Sequence, residues 1–217
     1  GSASKFLMRK AVPAKAILFT VSLIPLAVLI VNAITNNLGS NPIEAIRLFT
    51  GDWTLYFLLI TLAITPLRRL TGINELIRYR RMLGLYAFFY ASLHFLSYLI
   101  LDQFFDWQEI WRDVLKRPYI TIGTAAFVLL IPLAVTSTNN MMKRLGKKWK
   151  RLHSLIYVIG TLGILHYLWL VKADVRTPLL LGTVLITLLV LRLPYLKLQF
   201  KGSNYLKKGV NRSDLTH

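Results

Sequence analysis

The sequence predicts an all-α, polytopic membrane protein, a bundle of six transmembrane helices with both termini on the cytoplasmic side. Three observations predict it. The 217-residue chain is 55% hydrophobic with a mean hydropathy of +0.52, too apolar for a soluble domain of this size. Its apolar residues gather into runs long enough to cross a bilayer as helices. Its charges alternate from one side of those runs to the other.

Six runs qualify, taken in order as roughly 14–34, 52–67, 82–101, 118–136, 152–170 and 178–194. The first is too long, and too closely followed by others, to be a cleaved signal peptide. The second is short, so it must stand upright or borrow Leu48 and Phe49. The third starts just after Arg78-Tyr79-Arg80-Arg81, and the fifth after Lys147-Lys148-Trp149-Lys150-Arg151. The fourth and sixth are plain apolar runs. Connections are short, which leaves no separate soluble domain. The chain therefore divides into a cytoplasmic segment over 1–13, a transmembrane domain over 14–194 and a basic cytoplasmic tail over 195–217. Within the first segment, residues 1–4 read as an expression remnant. No internal repeat or low-complexity segment stands out.

The net charge of +18 invites a nucleic-acid reading, but its distribution refuses it. Counting Lys and Arg at the span ends, 21 fall on one side of the membrane and 6 on the other. Acids reverse the pattern, with only Glu75 and Asp214 on the basic side. Basic residues accumulate on the cytoplasmic face of membrane proteins, which places both termini inside. The same excess suits anionic headgroups. The absence of cysteine excludes disulfides, thiolate metal sites, iron–sulfur clusters and covalent c-type haem.

Three histidines, His94, His153 and His166, lie in apolar helical runs that carry no acidic residue. An imidazole at membrane depth faces a buried site, so these three ligate a metal, relay protons or pack. At 1.5 Å per residue His94 lies about 20 Å beyond Arg81, and His166 about 22 Å beyond Arg151. The two thus reach similar depth on parallel helices, as an axial pair on one haem iron requires. Small residues precede both on the same helix faces: Ala91, Ala87 and Gly84 before His94, and Gly163 and Gly160 before His166. Such residues make room for a macrocycle or serve close helix packing. A proton relay usually includes a carboxylate, and these runs hold none.

His153 precedes His166 by 13 residues, about 20 Å along the axis but roughly 140° around an ideal helix. Gly160 and Gly163 permit local tightening. The positions that would oppose it on the third span are Arg80 and Arg81. His153 is thus a ligand with an unusual partner, a hydrogen-bond donor to a propionate, flavin or quinone, or an interfacial residue solvated by headgroups. His217, last in a polar tail, has no assigned role. Arg68, Arg69, Arg78, Arg80 and Arg81 form an inner basic cluster, suited to a propionate or an FMN phosphate or simply to anchoring. An outer loop alternates Asp102, Asp106, Glu109 and Asp113 with Phe104, Phe105, Trp107 and Trp111, a docking surface or a set of interface anchors.

The chain resembles the MsrQ (YedZ) family, haem-binding membrane subunits of bacterial methionine sulfoxide reductase systems. The resemblance runs from about residue 10 to 200. It rests on Phe49-Thr-Gly-Asp-Trp53, Ile64-Thr-Pro-Leu-Arg68, Arg80-Arg-Met-Leu-Gly-Leu85, Ser92-Leu-His94, Arg117-Pro-Tyr-Ile-Thr-Ile-Gly123, Thr136-Ser-Thr138, Leu145-Gly-Lys-Lys-Trp-Lys-Arg-Leu-His153 and Ile164-Leu-His-Tyr-Leu-Trp169. That family belongs to the ferric-reductase and NADPH-oxidase-like transmembrane group. Larger members of the group hold two haems with two histidines on each of two helices.

The resemblance implies a b-type haem between His94 and His166, with Ala91 and Gly163 beside it. It leaves a second haem at His153 open, because Arg80 or Arg81 stands where the fourth histidine would be. It further implies residence in the bacterial inner membrane, FMN as a cofactor, and electrons taken from the quinone pool or a flavin reductase. They would pass to a periplasmic molybdenum-dependent methionine sulfoxide reductase that repairs oxidised proteins. On this reading the chain is a redox subunit without catalytic residues. No Gly-rich phosphate loop follows a strand anywhere in the sequence. The competing readings are a small transporter or proton-conducting bundle with structural histidines, and an assembly partner.

Overall fold

Five helices of the computed structural model are long and apolar enough to cross a membrane, and a sixth, shorter one is apolar. The structure describes residues 2–171 and 174–192, with side chains from residue 14 onward. The end of the sixth expected span and the basic tail with Asp214 and His217 lie outside the described residues. Helix α1 spans Ser2–Ile34, α2 Pro42–Thr71, and α3 Ile77–Ser97, which runs into a π-helical turn over Tyr98–Asp102. The outer connection holds α4 (Trp107–Lys116), and α5 follows at Pro118–Val135. Two short helices, α6 (Asn139–Leu145) and α7 (Lys147–His153), lead into α8 (Leu155–Leu170), and α9 spans Arg176–Val190. Among the described residues there is no strand.

The second helix reaches spanning length by borrowing Leu48 and Phe49, one of the two expected solutions, and extends further still. It begins at Pro42, ten residues before the expected start, and draws in Leu48 and Phe49. Its start is set by Asn41, whose side chain accepts from the Glu44 N–H and donates to the Glu44 carboxylate, with proline at the first helical position. Arg47 is paired with Asp102, and Asp52 lies beside Tyr167. The helix ends at Gly72, whose φ of +72° is the left-handed conformation in which glycine closes a helix.

The amphipathic α4 was also not expected. Asp106 caps it by accepting from the Gln108 and Glu109 N–H groups. Trp107, Trp111 and Leu115, spaced four residues apart, form its exposed apolar stripe, while Asp113 is buried. This is the pattern of a helix lying in the membrane interface.

The bundle centre is built from two helix pairs, α2 against α3 and α5 against α8, with α9 closing on α2 and α8. Leu58, Leu62, Ala87 and Tyr90 are the most buried hydrophobic side chains there. Helix α1 is peripheral, and two tyrosines of α3 attach it. The Tyr86 hydroxyl donates to the Phe19 carbonyl at 2.8 Å. The Tyr90 hydroxyl donates to the Ser22 carbonyl at 2.8 Å and accepts from the Leu26 N–H at 3.2 Å. It therefore stands between two groups that an undisturbed helix would join directly.

Candidate functional site

His94 on α3 and His166 on α8 meet across a cavity of about 320 Å³ in the outer half of the bundle. Their ring centres are 6.1 Å apart with planes at 78°. Each ring is steered by a backbone carbonyl on the helix paired with its own. Nδ1 of His94 lies 2.9 Å from the Arg47 carbonyl oxygen, and Nδ1 of His166 lies 2.6 Å from that of Tyr119. A carbonyl only accepts, so Nδ1 carries the proton in both rings. The Nε2 lone pairs are left free for the cavity.

Two glycines let the rings approach so closely. A Cβ on Gly51 would sit 3.2 Å from Nδ1 and Cε1 of His94, and one on Gly123 only 2.7 Å from Nδ1 of His166. A constant shift of 72 residues carries Arg47, Gly51 and His94 onto Tyr119, Gly123 and His166. Each half of the bundle thus presents its imidazole by the same device: carbonyl, glycine one turn later, histidine on the partner helix. The sequence showed no repeat because little besides glycine and histidine is kept between the halves. The same shift carries Arg81 onto His153.

Ala91 and Gly163 line the cavity, as expected, together with Leu58, Phe127 and Ile159. Gly163 also serves packing, since a Cβ there would lie 3.0 Å from a methyl of Leu55. The outer rim is charged. Arg47 pairs with Asp102 at 2.5 Å. The buried Asp113 accepts from Tyr98 at 3.3 Å, Gln103 at 3.0 Å and Arg117 at 3.1 Å. Nε of Arg47 is buried without a hydrogen-bond partner among the described residues.

The remaining expected residues lie elsewhere. His153 stacks on Trp149 with ring centres 3.9 Å apart, and its Nε2 is 3.0 Å from the Thr136 hydroxyl. Arg80 donates to the Thr65 hydroxyl at 3.2 Å, and Arg81 donates to the Asn139 side chain. None of the three lines the cavity. Of the outer acids, Asp102 and Asp113 are committed to internal contacts, Asp106 caps α4 but is exposed, and Glu109, paired with Arg112, is half-exposed. Sequence reasoning missed Arg47, Gly51, Tyr119 and Gly123. All but Arg47 sit in stretches the resemblance had marked, and the equal spacing of Gly51 to His94 and Gly123 to His166 was a signal open to inspection.

The family described as ferric reductase like transmembrane component matches residues 50–164, more than half of the chain. The Protein-methionine-sulfoxide reductase heme-binding subunit MsrQ of Herminiimonas arsenicoxydans is 59% identical over 181 residues, 82% of this chain and 83% of that protein. The chain belongs to the MsrQ family. MsrQ subunits of Xanthomonas euvesicatoria pv. vesicatoria and Rhodospirillum rubrum are each 52% identical, over 82% and 81% of this chain and 84% and 85% of their own. No solved structure matches the chain. The ferric-reductase match begins at Thr50, beside the glycine that seats His94, and ends two residues before His166. MsrQ membership therefore covers a chain whose two halves present one imidazole each to a shared cavity.

Proposed function

We propose that this protein is a haem b electron-transfer subunit of the inner membrane, with His94 and His166 as the axial ligands of one haem. The observation that carries the reading is that both imidazoles line one cavity with Nδ1 held on a carbonyl, which leaves each Nε2 unprotonated. An iron held between two imidazole nitrogens would need their ring centres roughly 6 Å apart. The rings stand 6.1 Å apart. The cavity beside them falls in the size range of cofactor sites. The orphaned Nε of Arg47, with Arg117 across the rim, offers donors for haem carboxylates.

A haem bound there supplies a one-electron centre whose potential follows its axial ligands and burial. The protein's own contribution is positional. The Arg47 and Tyr119 carbonyls fix the tautomer and orientation of both imidazoles and raise their basicity. Leu58, Phe127 and Ile159 exclude water from the cavity wall. The Arg47–Asp102 and Arg117–Asp113 pairs close its rim.

In this reading electrons enter from the cytoplasmic face, from the quinone pool or a flavin reductase with FMN as an intermediary. They leave at the outer face for a periplasmic molybdenum-dependent methionine sulfoxide reductase. Shared membership with the named methionine-sulfoxide-reductase subunits supports that assignment, as does the outer position of the cavity. Asp106 and Phe104, exposed at the start of α4, are the part of the outer loop available to a partner. The transmembrane haem domain spans 14–194, between a cytoplasmic segment over 1–13 and a basic tail. His153 has no facing ligand among the described residues, so the proposal is for one haem.

A proton-relay reading has one observation in its favour, since Asp52 and Tyr167 line the same cavity. Relay through imidazole requires both ring nitrogens to exchange protons, and here each Nδ1–H is held on a carbonyl. The deciding experiment is an absorption spectrum of protein expressed with haem, followed by a pyridine haemochrome titration. A Soret band that shifts on dithionite reduction, at one haem per chain, is expected. Colourless protein, with pH-dependent flux in liposomes, would establish the relay instead.

A further inference from the structure

At the basic end of the bundle, opposite the histidine cavity, Arg192 closes over α2 and α8. One terminal nitrogen donates to the Tyr157 hydroxyl at 2.7 Å, and the other to the Leu62 carbonyl. That carbonyl is free for a stated reason. Its helical partner would be the N–H of residue 66, which is Pro66, so α2 leaves a buried acceptor that Arg192 satisfies. The guanidinium is therefore fixed in place, with its carbon 5.4 Å from the centre of the Tyr157 ring.

Arg192 does not sit alone. Arg80 of α3, held on Thr65, is its electrostatic neighbour, and Arg68 and Tyr157 lie close to the same group. Among the described residues, no carboxylate pairs with Arg68, Arg80 or Arg192. Neighbouring like charges at a membrane edge repel and are costly unless a counter-charge joins them. Donor capacity is also left over. Nε of Arg192 is buried with no partner among the described residues. The Tyr157 hydroxyl accepts from Arg192, so its own proton remains free to donate. Arg80 uses one of its five N–H groups on Thr65.

We propose that Arg80, Arg192 and Tyr157 form a binding site for a phosphate group, presented as a phosphodiester lipid headgroup or as a phosphate monoester from the cytoplasm. Arg80 is held on Thr65 and Arg192 on Leu62, three residues apart on α2, so donors from α3, from α8 and from just beyond α9 gather at one turn of that helix. The site lies on the face where phosphate headgroups and soluble phosphates are both within reach. Guanidinium is the cation best matched to phosphate. The site needs no haem, so its failure and that of the redox reading are separate results.

The test has two arms on the full chain. In the first, protein in nanodiscs of phosphatidylcholine with or without phosphatidylglycerol is analysed by native mass spectrometry for retained phosphatidylglycerol. In the second, lipid-depleted protein in detergent is titrated calorimetrically with FMN and with inorganic phosphate. Retention of the lipid, or binding of a monoester, that falls about tenfold in R80Q and in R192Q supports the site and names its source. R192Q also uncovers the Leu62 carbonyl, so R80Q and Y157F, which leave that carbonyl covered, decide the matter if R192Q does not fold. Wild-type and variant behaviour that match in both arms overturns the proposal. So does loss of haem from R80Q and Y157F without any change in phosphate binding, because the anion would then be a haem carboxylate.

Discussion

Gly123 faces His166 so closely that a Cβ built on it would lie 2.7 Å from Nδ1 and 2.8 Å from Cε1. Its counterpart Gly51 leaves 3.2 Å to His94. The two halves of the bundle use the same device at different tolerance, and the difference is measurable. Replacing Gly123 with alanine displaces the imidazole from the Tyr119 carbonyl. Haem affinity should then fall on the order of tenfold or more, the usual cost of disturbing a group that orients a metal ligand. G51A requires a shift of only a few tenths of an ångström and should lose a few-fold at most. Haem-to-protein ratios after competition with apomyoglobin report both, and an equal loss in the two variants would contradict the geometry.

The three histidines should separate just as clearly. H94A and H166A each remove one of the two imidazoles that line the cavity and should lose most of the haem. Exogenous imidazole, which fits the space vacated, should restore part of the Soret band. H153A removes a ring held by Thr136 and Trp149, outside the cavity, and should retain haem near the wild-type ratio. Complete loss from all three would mean that His153 ligates.

Much of this was legible in the chain, and the exceptions have physical causes. The depth match of His94 and His166 followed from helical rise alone, because spans between fixed interfaces act as rulers. The turns of α2 ahead of residue 52 fell outside the expected span because Glu44 and Arg47 count as polar in any hydropathy window. The charge of Arg47 is met by Asp102, 55 positions away. The α4 helix was missed because its stripe of Trp107, Trp111 and Leu115 is too short to register as a span. Gly123 looked like any packing glycine until the ring it accommodates, 43 residues on, was in place.

Asp113 should prove the main stabiliser of the outer rim. It is 4% exposed and serves three donors from Tyr98, Gln103 and Arg117. D113A leaves all three short of an acceptor, at a cost of about 3 kcal/mol. For a chain of this length that corresponds to a fall of roughly 6–12 °C in Tm. D113N keeps an acceptor oxygen and should fall by less than half as much. Thermal unfolding in detergent, followed by tryptophan fluorescence, gives both values. A D113A variant as stable as wild type would show that the rim is held elsewhere.

The attachment of α1 should depend on hydroxyl groups more than on apolar packing. Lipid tails are as apolar as leucine, so burying α1 against α2 and α3 gains little over leaving it in lipid. Hydrogen bonds to its backbone do distinguish the two. Tyr90, fully buried, spans the Ser22 carbonyl and the Leu26 N–H, and Tyr86 reaches the Phe19 carbonyl. Y90F removes two of these three bonds; the Ser22 carbonyl and Leu26 N–H can then join each other, but the turn loses its hold on α3, at about 1–3 kcal/mol. Amide exchange around residues 22–26 should accelerate by roughly 5- to 100-fold, since each 1.4 kcal/mol is a factor of ten. Y86F, which removes a single bond, should show a smaller change centred nearer Phe19. The haem spectrum should stay unchanged in both, because neither tyrosine lines the histidine cavity. Exchange in α1 that is indifferent to Y90F would mean that apolar packing, not the inserted hydroxyl, holds this helix.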